Sequence, residues 1–255
     1  MPKDYEKIRS LPASKSPPSF EMPQELLPYL RQCWKPITEA RATTADGSKF
    51  CGSALIPMGE KWPSCGNCAA PLRLFVQLRS TDLPVGEAEA FGEGILQFFY
   101  CTSSKPRCEV DAGGWAPFGK STLARVLPLS TTPVDAKFAG GRGAFQESSI
   151  VSWQPMSDVP DWEELRTIGI DLDDATSEQL SEEGLPRLGD KLLGWPAWIQ
   201  GIEYPPCPRC NKLMKFVFQI DSQDNVPYMF GDAGIGHLFQ CPEHRDVLGF
   251  GWAGC

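Results

Sequence analysis

Four short apolar runs stand out in the hydrophobic pattern, two in each half of the chain. Residues 72–78 and 214–220 are apolar except at their second and sixth positions, and residues 95–100 and 235–240 are shorter and mostly apolar. Runs of this length and composition are typical of strands that are buried on at least one face. We therefore predict two pairs of buried β-strands.

The helical signal is weaker and confined to short segments. We predict helices near residues 24–34, 121–127, 161–167 and 174–183, the last ended by the Gly-Leu-Pro that begins at Gly184. Residues 1–23 are rich in Pro, Ser and Lys and are expected to form a tail. Residues 131–153 are expected to connect two structured parts.

The chain matches itself at an offset of 142 residues. Residues 47–80 align without gaps with residues 189–222, and nine of these 34 positions are identical. The match resumes after a loop of different length and closes with Gly-Trp-Ala at 114–116 and again at 251–253. Because collinear matching blocks seldom arise by chance, we predict an internal duplication.

Each copy carries four metal-ligating residues in the same order. A Cys-x2-Cys pair is followed by a second pair of ligands, which in the first copy is separated by six residues and in the second by two. Paired knuckles of cysteine and histidine suit tetrahedral zinc, and four protein ligands leave no position for a catalytic water. We therefore predict up to two structural zinc ions, held by Cys65, Cys68, Cys101 and Cys108 and by Cys207, Cys210, Cys241 and His244.

The cysteines have two alternative roles besides metal binding. They could be small buried apolar side chains that the duplication left in register. A redox role for the Cys-x2-Cys pairs is disfavoured because neither pair has the βαβ context of a thioredoxin.

These patterns predict a β-rich α+β fold: an internal duplication of a zinc-ribbon-like antiparallel β unit, with two pseudo-symmetric halves packed together. The predicted division is a tail and short helix at 1–35, a first repeat at 36–130, a connector with acidic helices at 131–185, and a second repeat at 186–255.

The net charge of −8 is concentrated in one segment of the 255-residue chain. Residues 158–183 contain ten acidic residues and one basic residue, a sum of −9. A solvated helical face explains such a segment, and a docking surface for a basic partner is the alternative. The chain has no strong basic patch, which argues against nucleic-acid binding, and no apolar run approaches the roughly 18 residues of a membrane span. The start of the chain lacks an apolar signal segment, so we expect a cytoplasmic protein with reduced thiols.

Residues 114–121 satisfy the P-loop pattern GxxxxGK[ST], which raises the alternative of an NTP-binding enzyme. Pro117 lacks the N–H that a phosphate cradle needs, and Trp115 and Phe118 crowd the loop. The chain has two histidines; His244 is assigned to zinc, and His237 lies in an apolar run that predicts a core strand position. A Ser-His-Asp or Cys-His set therefore cannot be assembled without His237, which favours a binding protein over an enzyme.

Several segments resemble the YwqG-like family of unknown function. They are Gly-Ser-Lys-Phe at 47–50, Trp-Pro at 62–63, the strands at 74–78 and 94–99, Gly-Asp-Lys at 189–191, and residues 218–222 and 230–234. The resemblance spans residues 40–255 and implies a β-rich, internally duplicated fold. Some of its members are thought to act as immunity proteins beside bacterial toxins.

The second copy also resembles the programmed cell death protein 2 family more distantly. The matching residues are Gly-Trp-Pro-Ala-Trp at 194–198, the Cys-x2-Cys at 207–210, Gln219, and Phe239 with Cys241. This resemblance implies a chaperone for a ribosomal protein, although the chain lacks the dense extra zinc finger of some members.

Together these features predict a zinc-binding, non-enzymatic protein-interaction protein of chaperone or immunity type, whose protein partner is not identified. The expected mechanism is capture of a partner polypeptide in a cleft between the copies or at a strand edge. Candidate contacts are the aromatic residues Trp195, Trp198, Tyr204 and Tyr228, for which burial in the core is the alternative. A small-molecule binding module is the remaining alternative function.

Overall fold

Ten of the strands in the described residues form one antiparallel sheet. The computed structural model describes residues 21–134, 145–222 and 224–254. The strands are β1 (Arg31–Glu39), β2 (Lys49–Phe50), β3 (Ile56–Pro57), β4 (Arg73–Arg79), β5 (Ile95–Tyr100), β6 (Thr122–Leu127), β7 (Pro133–Val134), β8 (Ser148–Asp158), β9 (Lys191–Leu193), β10 (Lys215–Asp221), β11 (Ile235–Gln240) and β12 (Leu248–Ala253). The short helices are α1 (Cys108–Asp111), α2 (Trp162–Thr167) and α3 (Asp174–Glu182).

The large sheet curls until its two ends nearly meet. Its strand order is β12-β11-β10-β9-β1-β8-β2-β4-β5-β6, and β3 and β7 form a separate pair. At the ends, the Trp252 N–H donates to the Trp115 carbonyl over 3.1 Å, and Trp252 Nε1 donates to the Tyr100 hydroxyl over 2.9 Å. The rings of Phe98 and Phe250 lie 4.1 Å apart between centroids. The sheet is therefore a nearly closed barrel with a seam between β6 and β12.

The inner face of the sheet encloses an aromatic core. Buried side chains from both ends of the strand order meet there, including Phe75, Phe98, Tyr100, Phe230 and Phe250. Two smaller apolar clusters lie apart from this core, one holding Cys65 and its three partners and the other holding Cys207, Cys210 and Cys241. Since these clusters bury few side chains, apolar burial contributes less there than in the main core.

Equivalent contacts recur in the two halves at the offset of 142 residues. Gln77 accepts the Leu55 N–H over 3.0 Å, and Gln219 accepts the Ala197 N–H over 2.9 Å. The ladder between β4 and β5 is irregular between residues 74 and 76, and the ladder between β10 and β11 is irregular between residues 216 and 218. The two halves thus share bulges as well as side-chain contacts.

The predicted buried strands are confirmed as β4, β5, β10 and β11, and the helices predicted near 161–167 and 174–183 are confirmed as α2 and α3. The helix predicted at 121–127 is wrong, because that segment pairs with β5 as strand β6. The segment predicted as a helix at 24–34 is a 3-10 helix at Gln24–Tyr29 followed by the start of β1. Strand β8 begins at Ser148, inside the segment expected to be a connection. Residues 1–20 of the predicted tail lie outside the described residues, in which no helix is long and apolar enough to cross a membrane.

The acidic segment is only partly a solvated face. Asp158, Asp161 and Glu164 are buried. Asp161 caps α2 by accepting the N–H groups of Glu163 and Glu164, and it also accepts the Trp198 N–H over 3.0 Å. The expectation of a solvated surface is therefore wrong for these three residues, because their carboxylates accept hydrogen bonds inside the protein.

Two buried lysines fix the middle of the sheet. Lys191 and Lys49 occupy equivalent positions in the repeat, and both side chains are fully buried. Lys191 Nζ lies 2.8 Å from the equally buried carboxylate of Asp158, which also accepts the Trp195 N–H over 2.9 Å. Lys49 lies 3.4 Å from Glu147, which keeps some exposure. Each lysine neutralises a carboxylate that fixes the backbone after a short strand.

Replacing Lys191 with methionine will leave the charge of Asp158 buried without its partner. We expect Lys191→Met to lower the free energy of unfolding by about 3–5 kcal/mol, as for other broken buried ion pairs. Urea denaturation followed by circular dichroism measures this change. Arg41→Met, which breaks the exposed pair with Glu39, is the matched control and should leave stability nearly unchanged. Equal effects of the two substitutions would contradict the structural role of Lys191.

Candidate metal centres

The first group of four cysteines is assembled as the spacing predicts. The Sγ atoms of Cys65 and Cys108 lie 3.8 Å apart, and those of Cys68 and Cys101 lie 3.6 Å apart. All four Sγ atoms lie within 4.8 Å of one another, and three of the four residues are buried while Cys68 is half-buried. This group, called site 1, thus presents four sulfur atoms to one point.

The Cys-x2-Cys turn of site 1 is held by its own backbone. The Cys65 N–H donates to the Ala70 carbonyl over 2.8 Å, and the Ala69 N–H donates to the Cys65 carbonyl over 2.9 Å. The Asn67 N–H points at Cys65 Sγ over 3.4 Å. The turn therefore directs both of its sulfur atoms to the same side before any metal is considered.

The wide spacing of the second pair is accommodated by a local reversal of the chain. Cys101 follows the last residue of β5, and Cys108 is the first residue of α1. Between them the chain reverses direction at an isolated bridge that joins Ser104 to Arg107. The six intervening residues thus bring Cys108 back to Cys101, as two residues do in the second half.

The second group, called site 2, contains three cysteines and one histidine. The Sγ atoms of Cys210 and Cys241 lie 3.6 Å apart, and His244 Nδ1 lies 3.6 Å from Cys241 Sγ and 3.8 Å from Cys207 Sγ. The backbone of its turn repeats site 1, since the Arg209 N–H points at Cys207 Sγ over 3.4 Å. Four possible ligands again converge.

Exposed ion pairs join the two knuckles of site 2 on its outer side. Arg209 pairs with Asp246, and Lys212 pairs with Glu243. In site 1 the corresponding contact is neutral, because Asn67 Nδ2 donates to Ser121 Oγ over 2.8 Å. The two sites thus share ligand geometry while their surroundings differ.

These separations fit tetrahedral coordination. Zinc–sulfur bonds of about 2.3 Å place neighbouring sulfur atoms about 3.8 Å apart, and a zinc–nitrogen bond of about 2.0 Å gives a sulfur–nitrogen distance of about 3.6 Å. The observed distances of 3.6 and 3.8 Å lie within about 0.2 Å of these values. A disulfide would need about 2.05 Å between sulfur atoms, and the described cysteines are free. Both groups can therefore hold a metal ion.

The first cysteine of each turn ionises most readily. Burial opposes the thiolate of Cys65, but the N–H groups of Cys68 and Asn67 and the neighbouring thiols outweigh it and lower its pKa to about 7. The pKa of Cys207 is lowered to about 6, since the N–H groups of Arg209 and Cys210 outweigh burial in the same way. Burial raises the pKa of Cys108 to about 11. A metal ion would therefore displace protons from some ligands and meet a thiolate at others.

The P-loop-like segment at 114–121 forms one wall of site 1. The Lys120 carbonyl accepts the Gly66 N–H over 2.9 Å, and the Ser121 carbonyl accepts the Cys101 N–H over 2.9 Å. Helix α1 precedes the segment and strand β6 follows it. A P-loop requires a strand before and a helix after the phosphate cradle, so the element order is the reverse of what nucleotide binding needs. No signal in the sequence indicated that this segment supports a metal site.

The remaining candidate residues are largely internal. His237 is buried on β11, and burial lowers its pKa to about 3, which makes it a neutral core residue as expected. Trp195 is buried with Nε1 donating to the Tyr29 carbonyl, and Tyr204 is buried with its hydroxyl donating to Glu164. Trp198 and Tyr228 are half-buried. Of the four aromatic contact candidates, only these last two keep exposed surface.

One open cleft of about 400 Å³ lies away from the metal sites. Its lining includes Glu147, Asp224 and Asn225. Glu147 is paired with Lys49, and Asn225 bonds Thr38 and Asp190. Because these polar groups already have partners inside the protein, the cleft offers weak support for a small-molecule site.

Cobalt(II) substitution will distinguish the two ligand sets. Sulfur-to-cobalt charge-transfer absorbance scales with the number of thiolates, and site 1 offers four against three at site 2. We expect Cys207→Ser, which leaves site 1, to absorb about 4:3 more strongly per bound cobalt than Cys65→Ser, which leaves site 2. Ultraviolet–visible titration measures the ratio. Octahedral cobalt spectra in both variants would contradict the tetrahedral assignment.

Comparison with known proteins places the chain in a family without an assigned function. A stretch of 58 residues is 36% identical to the uncharacterized protein YpfL of Salmonella typhimurium, and it covers 23% of this chain and 13% of that protein. The chain thus corresponds to a small part of this relative. Neither finding names the YwqG-like or the programmed cell death protein 2 family, and both resemblances stay predictions. Residues 48–244 match the family described as "Domain of unknown function (DUF1963)", and the chain belongs to that family.

Proposed function

We propose that this protein is a zinc-stabilised binding protein with one structural zinc at each of the two sites. The observation that carries the proposal is the pair of four-ligand groups whose ligand atoms all lie within 4.8 Å of one another. Seven thiols and one imidazole favour zinc over magnesium or calcium, which prefer oxygen ligands. Because protein side chains supply all four ligands, each zinc would stabilise the fold and leave no position for a substrate.

The proposal includes an internal duplication of the β unit that carries each site. Its support is the self-match at 142 residues together with the equivalent bulges and glutamine contacts of the two halves. A reduced compartment such as the cytoplasm suits the proposed thiolate sites. Loss of either zinc should destabilise its own outer cluster first, because few apolar side chains are buried there.

A binding role is supported by the acidic surface around α3. Its exposed carboxylates lie on the helix and in the loop before it: Asp171, Asp173, Asp174, Glu178 and Glu182. Trp162 is also exposed, at 60% of its surface, on the neighbouring helix α2. Clustered negative charge attracts a basic polypeptide and an exposed tryptophan provides an anchor. Trp198 and Tyr228 stay in the proposal as partly exposed contacts.

Zinc content tests the metal part of the proposal. We expect about two zinc ions per chain in protein purified without chelator, and about one in Cys65→Ser and in Cys207→Ser, each with a lower melting temperature. Elemental mass spectrometry measures the ratio. Cys33→Ala, which removes a buried cysteine outside both groups, is the matched control and should keep two zinc ions. Metal-free wild-type protein with fully titratable thiols would contradict the proposal.

Neutralising the acidic surface tests the binding part. We expect the triple variant Asp171→Asn, Asp174→Asn and Glu178→Gln to lose a basic partner that the wild type retains in pull-downs from native lysate, because charge attraction guides this contact. The matched control Glu93→Gln, Glu203→Gln and Asp232→Asn removes the same charge from exposed positions elsewhere and should retain the partner. Retention of the same proteins by all three forms would contradict the acidic surface as the binding site.

A further inference from the structure

Each half of the chain places a hairpin loop on the metal knuckle of the other half. Loop 1 comprises residues 80–94, between β4 and β5, and loop 2 comprises residues 224–234, before β11. Knuckle 1 comprises residues 100–111 around Cys101 and Cys108, and knuckle 2 comprises residues 240–246 around Cys241 and His244. Loop 2 contacts knuckle 1 and loop 1 contacts knuckle 2, so the contacts cross between the halves.

The contact of loop 2 with knuckle 1 depends on one residue beside a ligand. Glu109, next to Cys108, accepts the Tyr228 hydroxyl over 2.8 Å with Oε2 and the Gly231 N–H over 2.8 Å with Oε1. Both oxygens of this carboxylate are therefore used to hold loop 2. Hydrogen bonds to a charged acceptor are stronger than neutral ones.

The contact of loop 1 with knuckle 2 is built at the corresponding place. Gln240, next to Cys241, donates from Nε2 to the Phe91 carbonyl over 2.9 Å and to the Arg245 carbonyl over 2.7 Å. Arg245, next to His244, pairs with Glu89 over 2.8 Å. The first of these bonds is buried and the ion pair is exposed.

Loop 2 also covers the seam where the sheet ends meet. Phe230 in this loop packs on Tyr100, Phe250 and Trp252, with ring centroids 5.4 to 5.9 Å apart. Tyr100, the residue before Cys101, accepts the hydrogen bond from Trp252 across the seam. Knuckle 1 is thus joined both to loop 2 and to the last strand of the chain.

We propose that the two metal sites hold the halves together in trans: metal at site 1 secures loop 2 and the β6–β12 seam, and metal at site 2 secures loop 1. This inference rests on the proposed metal binding. Each knuckle is a turn with at most a four-residue helix, and such a segment is marginal without an added constraint. A metal ion that fixes two ligands of the knuckle also fixes the neighbouring Glu109 or Gln240.

The seam gives the two sites unequal importance. Loop 2 joins a charged acceptor that is bonded twice to an aromatic cluster that is buried, whereas loop 1 relies on one buried bond and an exposed ion pair, which contributes little. Loss of metal at site 1 should therefore open the barrel more than loss at site 2. Binding would be reciprocal, since a loop that is stabilised by metal must in turn stabilise the metal.

Hydrogen–deuterium exchange on zinc-loaded protein tests the crossed pattern. We expect Cys108→Ser to speed amide exchange in loop 2 and β12, and Cys207→Ser to speed it in loop 1, each beyond the change in its own hairpin. Elemental analysis of the same samples reports zinc. Wild type without zinc would overturn the proposed metal function, whereas loss of one zinc with no change in the opposite loop would overturn only the crossed coupling.

A reciprocal measurement holds even where a cysteine variant unfolds. Glu109→Ala and Tyr228→Phe keep all eight ligands and cut the contact of loop 2, so zinc release from site 1 to a chromogenic chelator should become about 5- to 10-fold faster. Release from site 2 should keep its wild-type rate. The matched variant Glu87→Ala, in loop 1 and outside these contacts, should change neither rate. Unchanged release in both Glu109→Ala and Tyr228→Phe would overturn the coupling.

Discussion

The convergence of four ligand atoms at each site constrains the rest of the molecule. Thiols and an imidazole that lie within 4.8 Å of one another cannot all ionise unless a cation neutralises them, because like charges at this distance raise one another's pKa. The residues that bring them together belong to turns and to strand ends, which have little apolar surface of their own. A metal ion would replace the missing core at two points on the outside of the barrel.

Inside the barrel the same problem of buried charge is solved by side chains. Lys191 and Asp158 are both fully buried, and Lys49 pairs with Glu147 at the equivalent place. These pairs lie beside the long central ladder of β1 and β8, which joins the two halves. Buried ion pairs add little net stability compared with apolar packing, but they penalise any other arrangement of the strands. The barrel thus has an aromatic interior, a charged middle and two outer metal sites, and crossed loops connect these parts.

The hydrophobic pattern predicted the strands that are buried on both faces and failed for those that are not. Strands β4, β5, β10 and β11 are continuous apolar runs, so local composition was sufficient. The central strands β1 and β8 contain Pro36 and Pro155, and a proline normally argues against a central strand. Their pairing depends on residues more than 100 positions apart, which no local window can detect.

The candidate sites were more predictable than the fold around them. Ligand identity and order followed from spacing, because a Cys-x2-Cys turn needs only a few local hydrogen bonds. The position of Cys108 depended on a reversal between Ser104 and Arg107, and the wall at Lys120 and Ser121 depended on tertiary contacts, which spacing does not encode. The acidic segment was misjudged where tertiary burial of Asp158, Asp161 and Glu164 overrides their polar character.

X-ray absorption at the zinc K edge of the purified protein tests the central claim most directly. Seven cysteines and one histidine shared by two ions give an average of 3.5 sulfur atoms and 0.5 nitrogen atoms around each zinc (7/2 and 1/2), with zinc–sulfur distances of about 2.3 Å. That first shell would establish both sites as closed and structural. A shell dominated by oxygen, or protein that carries no zinc, would contradict the account.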